Sequence, residues 1–291
     1  MHYNALTMAT TVTTFLISTQ NTDGGWGYAP GQASTVEATT VVTLSLRSSA
    51  ARTYQQAIAW LQNTQHQDGG WGLGATDEQS GWHTAWAVLT LAGQDPGQAI
   101  VARGTEWLLS VETLRTTEDA IQMLEPALAI DLHLRGWPWL PGEASWIEPT
   151  ALAMLALTAA RAPATERIDE AARYLLDRRC QGGGWNVGNP VMFSQPLPAR
   201  AHPTAWALLA LAQVAAQSVT TEDLVTLRSE MLSDGGAPAL AWGLLALRAL
   251  GQSDDTAVQR LRALQLPDGS WGHSPYETGL SMLALDPNFR L

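Results

Sequence analysis

The chain has 291 residues, 46% of them hydrophobic, enough apolar material to bury a large core in one or two domains. Its 16 basic residues face 27 acidic ones, and a net charge of -11 excludes nucleic acid as the expected partner. A single cysteine, Cys180, rules out an internal disulfide framework, and no apolar run reaches the ~18 residues of a membrane span. Residues 1–20 lack a basic leader and a small-residue cleavage site, so they read as part of the fold. The expected location is the cytoplasm, and shallow docking of an apolar loop on a membrane stays open.

In chain order, a helix of mixed polarity at about 4–19 runs into Gln20-Asn-Thr-Asp23-Gly-Gly-Trp26, followed by an apolar helical run, Val36 to Leu46. The same succession returns: a mixed helix at 52–64, Gln65 to Trp71 with the same Gln-x-x-Asp-Gly-Gly-Trp spacing, then Thr84 to Ala92. The third unit has a mixed helix at 98–110, an insertion of helical pattern from Leu114 to Leu134, the weaker copy Arg135-Gly-Trp137, and the run Pro149 to Ala159. The fourth has a mixed helix at 166–178, Gln181-Gly-Gly-Gly-Trp185, a proline-rich loop from Asn189 to Pro203, and the run Pro203 to Ala212. In the fifth, a helix at 221–232 leads to Asp234-Gly-Gly-Ala237, with the tryptophan lost, and to Ala239 to Leu250. The sixth closes the series with a helix at 255–264, Gln265-Leu-Pro-Asp268-Gly-Ser-Trp271, and Glu277 to Leu285.

A period of a few tens of residues means stacked units, none of which can bury its apolar face alone. The mixed helices have one polar side: Arg167, Asp169, Glu170, Arg173 and Asp177 alternate with Ile168, Ala171, Ala172, Leu175 and Leu176 at helical period. The second set, such as Thr204-Ala-Trp-Ala-Leu-Leu-Ala-Leu211, is apolar all round and demands burial on every side. Six mixed helices outside and six apolar helices inside predict one all-α domain over 1–291, a closed α6/α6 toroid. The glycines end each outer helix in conformations other residues avoid. Trp26, Trp71, Trp185 and Trp271 are then structural wedges between units.

These residues resemble a known family. Gln-x-x-Asp-Gly-Gly-Trp-Gly followed by Thr-Ala-Trp-Ala-Leu-Leu-Ala-Leu is similar to the repeat of squalene-hopene and oxidosqualene cyclases and of protein prenyltransferase β-subunits. The resemblance covers essentially the whole chain and is specific for the fold. With residues for one barrel, the chain is most like the single-domain class II terpene cyclases of bacteria.

A second pattern opens the apolar helices: Ser34-x-x-Glu37, Ser80-x-x-His83, Ser145-x-x-Glu148, Ala199-x-x-His202 and Ser274-x-x-Glu277. Three of these also fit a capping box, and glutamate is favoured at a helix N-terminus by the dipole. Histidine gains nothing comparable there, which makes His83 and His202 informative. In a toroid all five should converge on one mouth, with the loop Asn189 to Pro203 beside them.

The resemblance implies a proton donor in an Asp-x-Asp-Asp-Thr-Ala motif. Matching Thr150-Ala151 to its Thr-Ala sets Glu148 at the middle aspartate, Trp146 at the first and Pro149 at the last, so the complete motif is absent. A carboxylic acid with an ordinary pKa of about 4.3 is modest for alkene protonation. The resemblance implies a histidine partner whose positive charge would strengthen it, and His202 is the candidate. Carbocations are stabilised by aromatic faces in a dry cavity, for which Trp82, Trp86, Trp146, Trp206, Trp242 and Tyr276 stand at or near the helix starts, with Glu277 beside them.

Other chemistries are set aside. No Asp-Asp-x-x-Asp sequence is present for the magnesium of class I terpene synthesis. Asp177-x-x-Cys180 has the wrong spacing for prenyltransferase zinc, and no nucleotide loop, nucleophile elbow or metalloprotease motif occurs. Neither metal nor cofactor is expected. The resulting expectation is a metal-independent class II-type isoprenoid cyclase that protonates a linear polyprenyl chain or a prenylated aromatic compound. Two alternatives stay open: a carbohydrate-active toroid, hydrolase or lyase, with Glu37 and Glu148 as acid and base, and a non-catalytic lipid-binding toroid.

Overall fold

The computed structural model describes residues 11–163 and 165–291, so residues 4–10 of the first predicted helix lie outside the described part. The outer helices are α1 (11–18), α3 (Ala51–Asn63), α5 (Ala99–Ser110), α8 (Thr165–Asp177), α10 (Thr221–Asp234) and α12 (Asp255–Ala263). The inner ones are α2 (Val36–Leu46), α4 (His83–Ala92), α7 (Ile147–Ala159), α9 (Ala201–Val214), α11 (Ala237–Ala249) and α13 (Pro275–Leu285). Each inner helix packs on the next in that order, and α13 packs on α2, so the ring closes. The all-apolar inner pattern has its physical counterpart here, since α4 is buried without a break from Thr84 to Ala92. Among the described residues no helix is long and apolar enough to cross a membrane.

The glycine loops clamp the units. Gly24 and Gly69 have φ of 97° and 93°, and a Cβ on either would lie 2.8 Å from a carbonyl oxygen of the next outer helix, that of Gln56 or Arg103. Only glycine combines that backbone conformation with that approach. Gln20 and Gln65 each donate from Nε2 to their own loop and to the neighbouring outer helix, at 2.8 and 3.0 Å in both cases. Asp23 and Asp68 accept from loop backbone with one oxygen and from Trp60 or Trp107 Nε1 with the other. Trp26, Trp71, Trp185 and Trp271, joined by Trp137, are buried wedges whose Nε1–H groups donate to carbonyls of an outer helix.

The two irregular segments meet. The insertion holds α6 (Glu118–Leu128), and the proline-rich loop holds a hairpin, β3 (Val191–Met192) with β4 (Gln195–Pro196), on which α6 packs. The loop is shorter than the sequence suggests, because α9 starts at Ala201 and takes Pro203 into its first turn, where a missing N–H costs no helical bond. A second small ribbon, β1 (Trp137–Pro138) with β2 (Ser145–Trp146), leads directly into α7.

Candidate active site

One threonine sets the rotation of each inner helix but α11. Thr39, Thr84, Thr150, Thr204 and Thr278 accept at Oγ1 from the backbone N–H of Trp26, Trp71, Trp137, Trp185 and Trp271, at 2.8–3.0 Å. The threonine therefore faces outward, toward its loop. At about 100° per residue, positions two before and two after it face roughly the opposite way, toward the ring axis, and lie one turn apart.

The layer two residues after the threonine contains Trp86 on α4 and Trp206 on α9, and Trp242 takes the same level on α11. Their rings meet across the axis: 5.4 Å between Trp86 and Trp206, 6.0 Å between Trp86 and Trp242, and 4.3 Å between Trp206 and Trp242. All three are fully buried. They form a floor across the barrel, where the sequence suggests the walls of an open cavity.

The layer two residues before the threonine is the mouth, and it holds Glu37, Trp82, Glu148, His202 and Tyr276. Glu37 is buried and accepts a hydrogen bond from the phenol of Tyr28, with the phenol of Tyr276 beside it. Burial raises its pKa, and the two phenols pull it back. Glu148 has no hydrogen-bond partner among the described residues; burial, and then the negative charge of Glu37, push its pKa up to about 8. Tyr276 in turn accepts from Trp242 Nε1 at 3.3 Å, tying the mouth to the floor. Glu148 therefore favours its protonated form at neutral pH.

His202 is placed differently from its expected role. Its Nε2 accepts from Trp206 Nε1 at 2.9 Å, so that lone pair is occupied, and burial lowers its pKa to about 4. A neutral imidazole supplies no positive charge to Glu148, and the residue that reaches His202 electrostatically is Asp234. The fifth unit has almost no loop between α10 and α11, and a 520 Å³ pocket opens there, lined by Arg200, His202, Glu230 and Asp234.

Of the five groups expected to converge, Glu37 and Glu148 influence each other, and His202 stands at the same helical level against Trp206 and Trp242. His83 and Glu277 stand one residue nearer their threonines and are turned by about 100° from the axis-facing position. His83 lies against Trp82 at 4.7 Å and is kept neutral by burial, with a pKa of about 4. Glu277 is half-buried, its carboxylate folded over Gly272. Trp82 caps α4 and sets its ring edge-on to Trp139 at 4.6 Å, away from the floor. Trp146 lies at the rim, over Gly188, in a 530 Å³ pocket shared with Met192, Leu197, Pro198 and Arg200. Tyr28 is the mouth residue that sequence reasoning missed, because it lies in the first glycine loop, two residues beyond Trp26, and no other loop carries a tyrosine there.

Residues 9–143 match the family of the squalene-hopene cyclase N-terminal domain. No curated protein sequence matches the chain. Among solved structures, the type II terpene cyclase MstE from Scytonema is 19% identical, with 91% of this chain and 81% of that one covered at a TM-score of 0.60. A protein from Actinoplanes is 20% identical, with 91% and 82% covered at 0.57. A novel alpha-amylase from Clostridium perfringens is 10% identical, with 97% and 98% covered at 0.69. The chain thus carries the squalene-hopene cyclase N-terminal pattern over residues 9–143 and, along its length, the α/α toroid fold shared by that superfamily.

Proposed function

We propose that this protein is an acid-initiated isoprenoid cyclase of the class II kind, metal-independent, acting on a linear polyprenyl chain or a prenylated aromatic compound. The observation that carries the reading is Glu148, a buried carboxyl about one helical turn from the level of three packed tryptophans; its raised pKa keeps the proton in place but makes it a weaker acid, so the indole faces that stabilise the cation must supply the driving force. The Glu148 O–H adds its hydrogen to the less substituted carbon of a terminal alkene, leaving a tertiary carbocation and the Glu148 carboxylate. Successive alkene π pairs close the rings, and loss of one proton from the final cation gives an isomer of the substrate. Because Glu148 titrates at about 8, it regains a proton from neutral water without a catalyst. The indole faces stabilise the cation, and the charge on Glu37 opposes its escape from the mouth. The exposed hairpin residues Met192 and Phe193, with Met123 on α6, supply the apolar surface for the membrane contact left open by the sequence.

The test is incubation with geranylgeranyl compounds and prenylated phenols in EDTA, with mass analysis for an isomeric product. A product that forms in wild type and not in Glu148→Gln supports the reading; turnover only after zinc or magnesium is added overturns it.

One observation favours a second reading. Two carboxyl groups with separated pKa values above an aromatic floor are also what glycoside hydrolysis uses. Release of sugar from malto-oligosaccharides or nitrophenyl glycosides, lost in Glu37→Gln and in Glu148→Gln, would select that chemistry.

A further inference from the structure

The hydrogen bonds around Glu37 all run one way. The Tyr28 O–H donates to Glu37. From the other side, Trp242 Nε1 donates to the Tyr276 phenol, whose own O–H is aimed at Glu37. The Tyr276 phenol that accepts from Trp242 has one hydrogen left to give, and both phenols face the same carboxylate. Two such donors favour the ionised acceptor. Glu148, facing the same mouth, receives no donor at all among the described residues, so nothing there stabilises its anion.

We propose that Tyr28 and Tyr276 are positioning residues that hold the negative charge of the carboxyl pair on Glu37, by aiming their phenolic hydrogens at it, and so leave the proton on Glu148. The device depends on closure of the ring. Ser274 Oγ of the sixth unit donates to the Tyr28 carbonyl at 2.6 Å, and the Tyr28 ring stands edge-on to Tyr276 at 5.6 Å. Tyr28 belongs to the first unit by sequence, yet its backbone is anchored by the last. Only the closed toroid therefore brings both phenols to Glu37. The inference deepens the cyclase reading and rests on its choice of Glu148 as the acid.

Difference infrared spectroscopy tests it without substrate, through the carbonyl stretch of a neutral carboxylic acid at neutral pH. Wild type should show a neutral buried acid that Glu148→Gln removes. Adding Tyr28→Phe to Glu148→Gln should bring a neutral acid back, now on Glu37, and adding Tyr276→Phe should strengthen it. A neutral acid that persists in Glu148→Gln with both tyrosines present, or one that never returns when they are removed, overturns the proposal. Tyr28 is 38% exposed, so Tyr28→Phe is expected to fold, which circular dichroism checks. If product formation is found, Tyr28→Phe should lower kcat more than it raises KM and move the acid limb of the pH profile upward. If the infrared pattern holds and no prenyl substrate turns over, the proton placement stands and the cyclase reading fails.

Discussion

Trp86 and Trp242 stand on α4 and α11, which face each other across the six-helix ring, and their ring centroids are only 6.0 Å apart. A toroid of this size would otherwise be open along its axis. Together with Trp206 these side chains close the barrel across its axis.

Trp242→Ala should open this floor. It removes a buried indole, its contact with Trp206 at 4.3 Å and its bond to Tyr276, and truncations of this kind cost roughly 3–5 kcal/mol. Urea unfolding should show that loss, while Trp242→Phe should cost clearly less. A change below about 1 kcal/mol for Trp242→Ala would mean the tryptophans do not pack as a unit.

Thr204→Val keeps the shape of the side chain and leaves the Trp185 N–H, bonded at 2.9 Å, buried without a partner. About 1–3 kcal/mol should be lost. Thr204→Ser, which restores the acceptor, should recover most of it in the same unfolding assay. A Thr204→Val variant as stable as wild type would show that this hydrogen bond does not hold the helix.

Stability should depend on pH from two opposed directions. Glu148 has a folded pKa of about 8 against an ordinary 4.5, so its favourable contribution is present below pH 4.5 and is lost as the pH rises through 8. His83 and His202, lowered to about 4 from 6.5, contribute above pH 6.5, and that contribution is lost as the pH falls through 4. Glu148→Gln should therefore flatten the alkaline limb of the stability curve. His202→Gln, whose amide oxygen can still accept from Trp206, should flatten part of the acid limb. Unchanged curves for both variants between about pH 4 and 8 would contradict these placements.

For activity, Glu148→Gln should abolish turnover without destabilising the fold, because glutamine has no carboxylic proton to give and none to lose as the pH rises. Loss of a general acid is worth roughly 10²–10⁴ in rate. Glu277→Gln, outside the mouth layer, should leave kcat within a few-fold of wild type. His202→Gln should do likewise, since its neutral ring does not acidify Glu148. A large loss in Glu277→Gln alone would move the active group by one helix position.

The repeat made the architecture legible in advance. Gln20, Asp23 and Trp26 recur as Gln65, Asp68 and Trp71 and as Gln265, Asp268 and Trp271, and a uniformly apolar helix such as Thr204 to Leu211 has nowhere to go but the inside of a ring. Local chemistry fixes both, because loop hydrogen bonds and burial demand the same residue types in every unit. The mouth was legible only in part. Glu37, Glu148 and His202 follow from spacing, whereas His83 and Glu277 share that spacing and miss the mouth.

Rotation about each inner helix is set by the threonine that bonds its loop, and a shift of one residue in that register turns a side chain by about 100°. That one residue puts Tyr276 over the floor instead of Glu277. Tyr28 and Tyr276 are separated by nearly the whole chain and meet only when the last helix packs on the first. The sequence by itself determined the repeating units and the residue types that open their helices; which side chains stand together at the ring's seam was decided by ring closure, because hydrogen bonds reach across space and not along the chain.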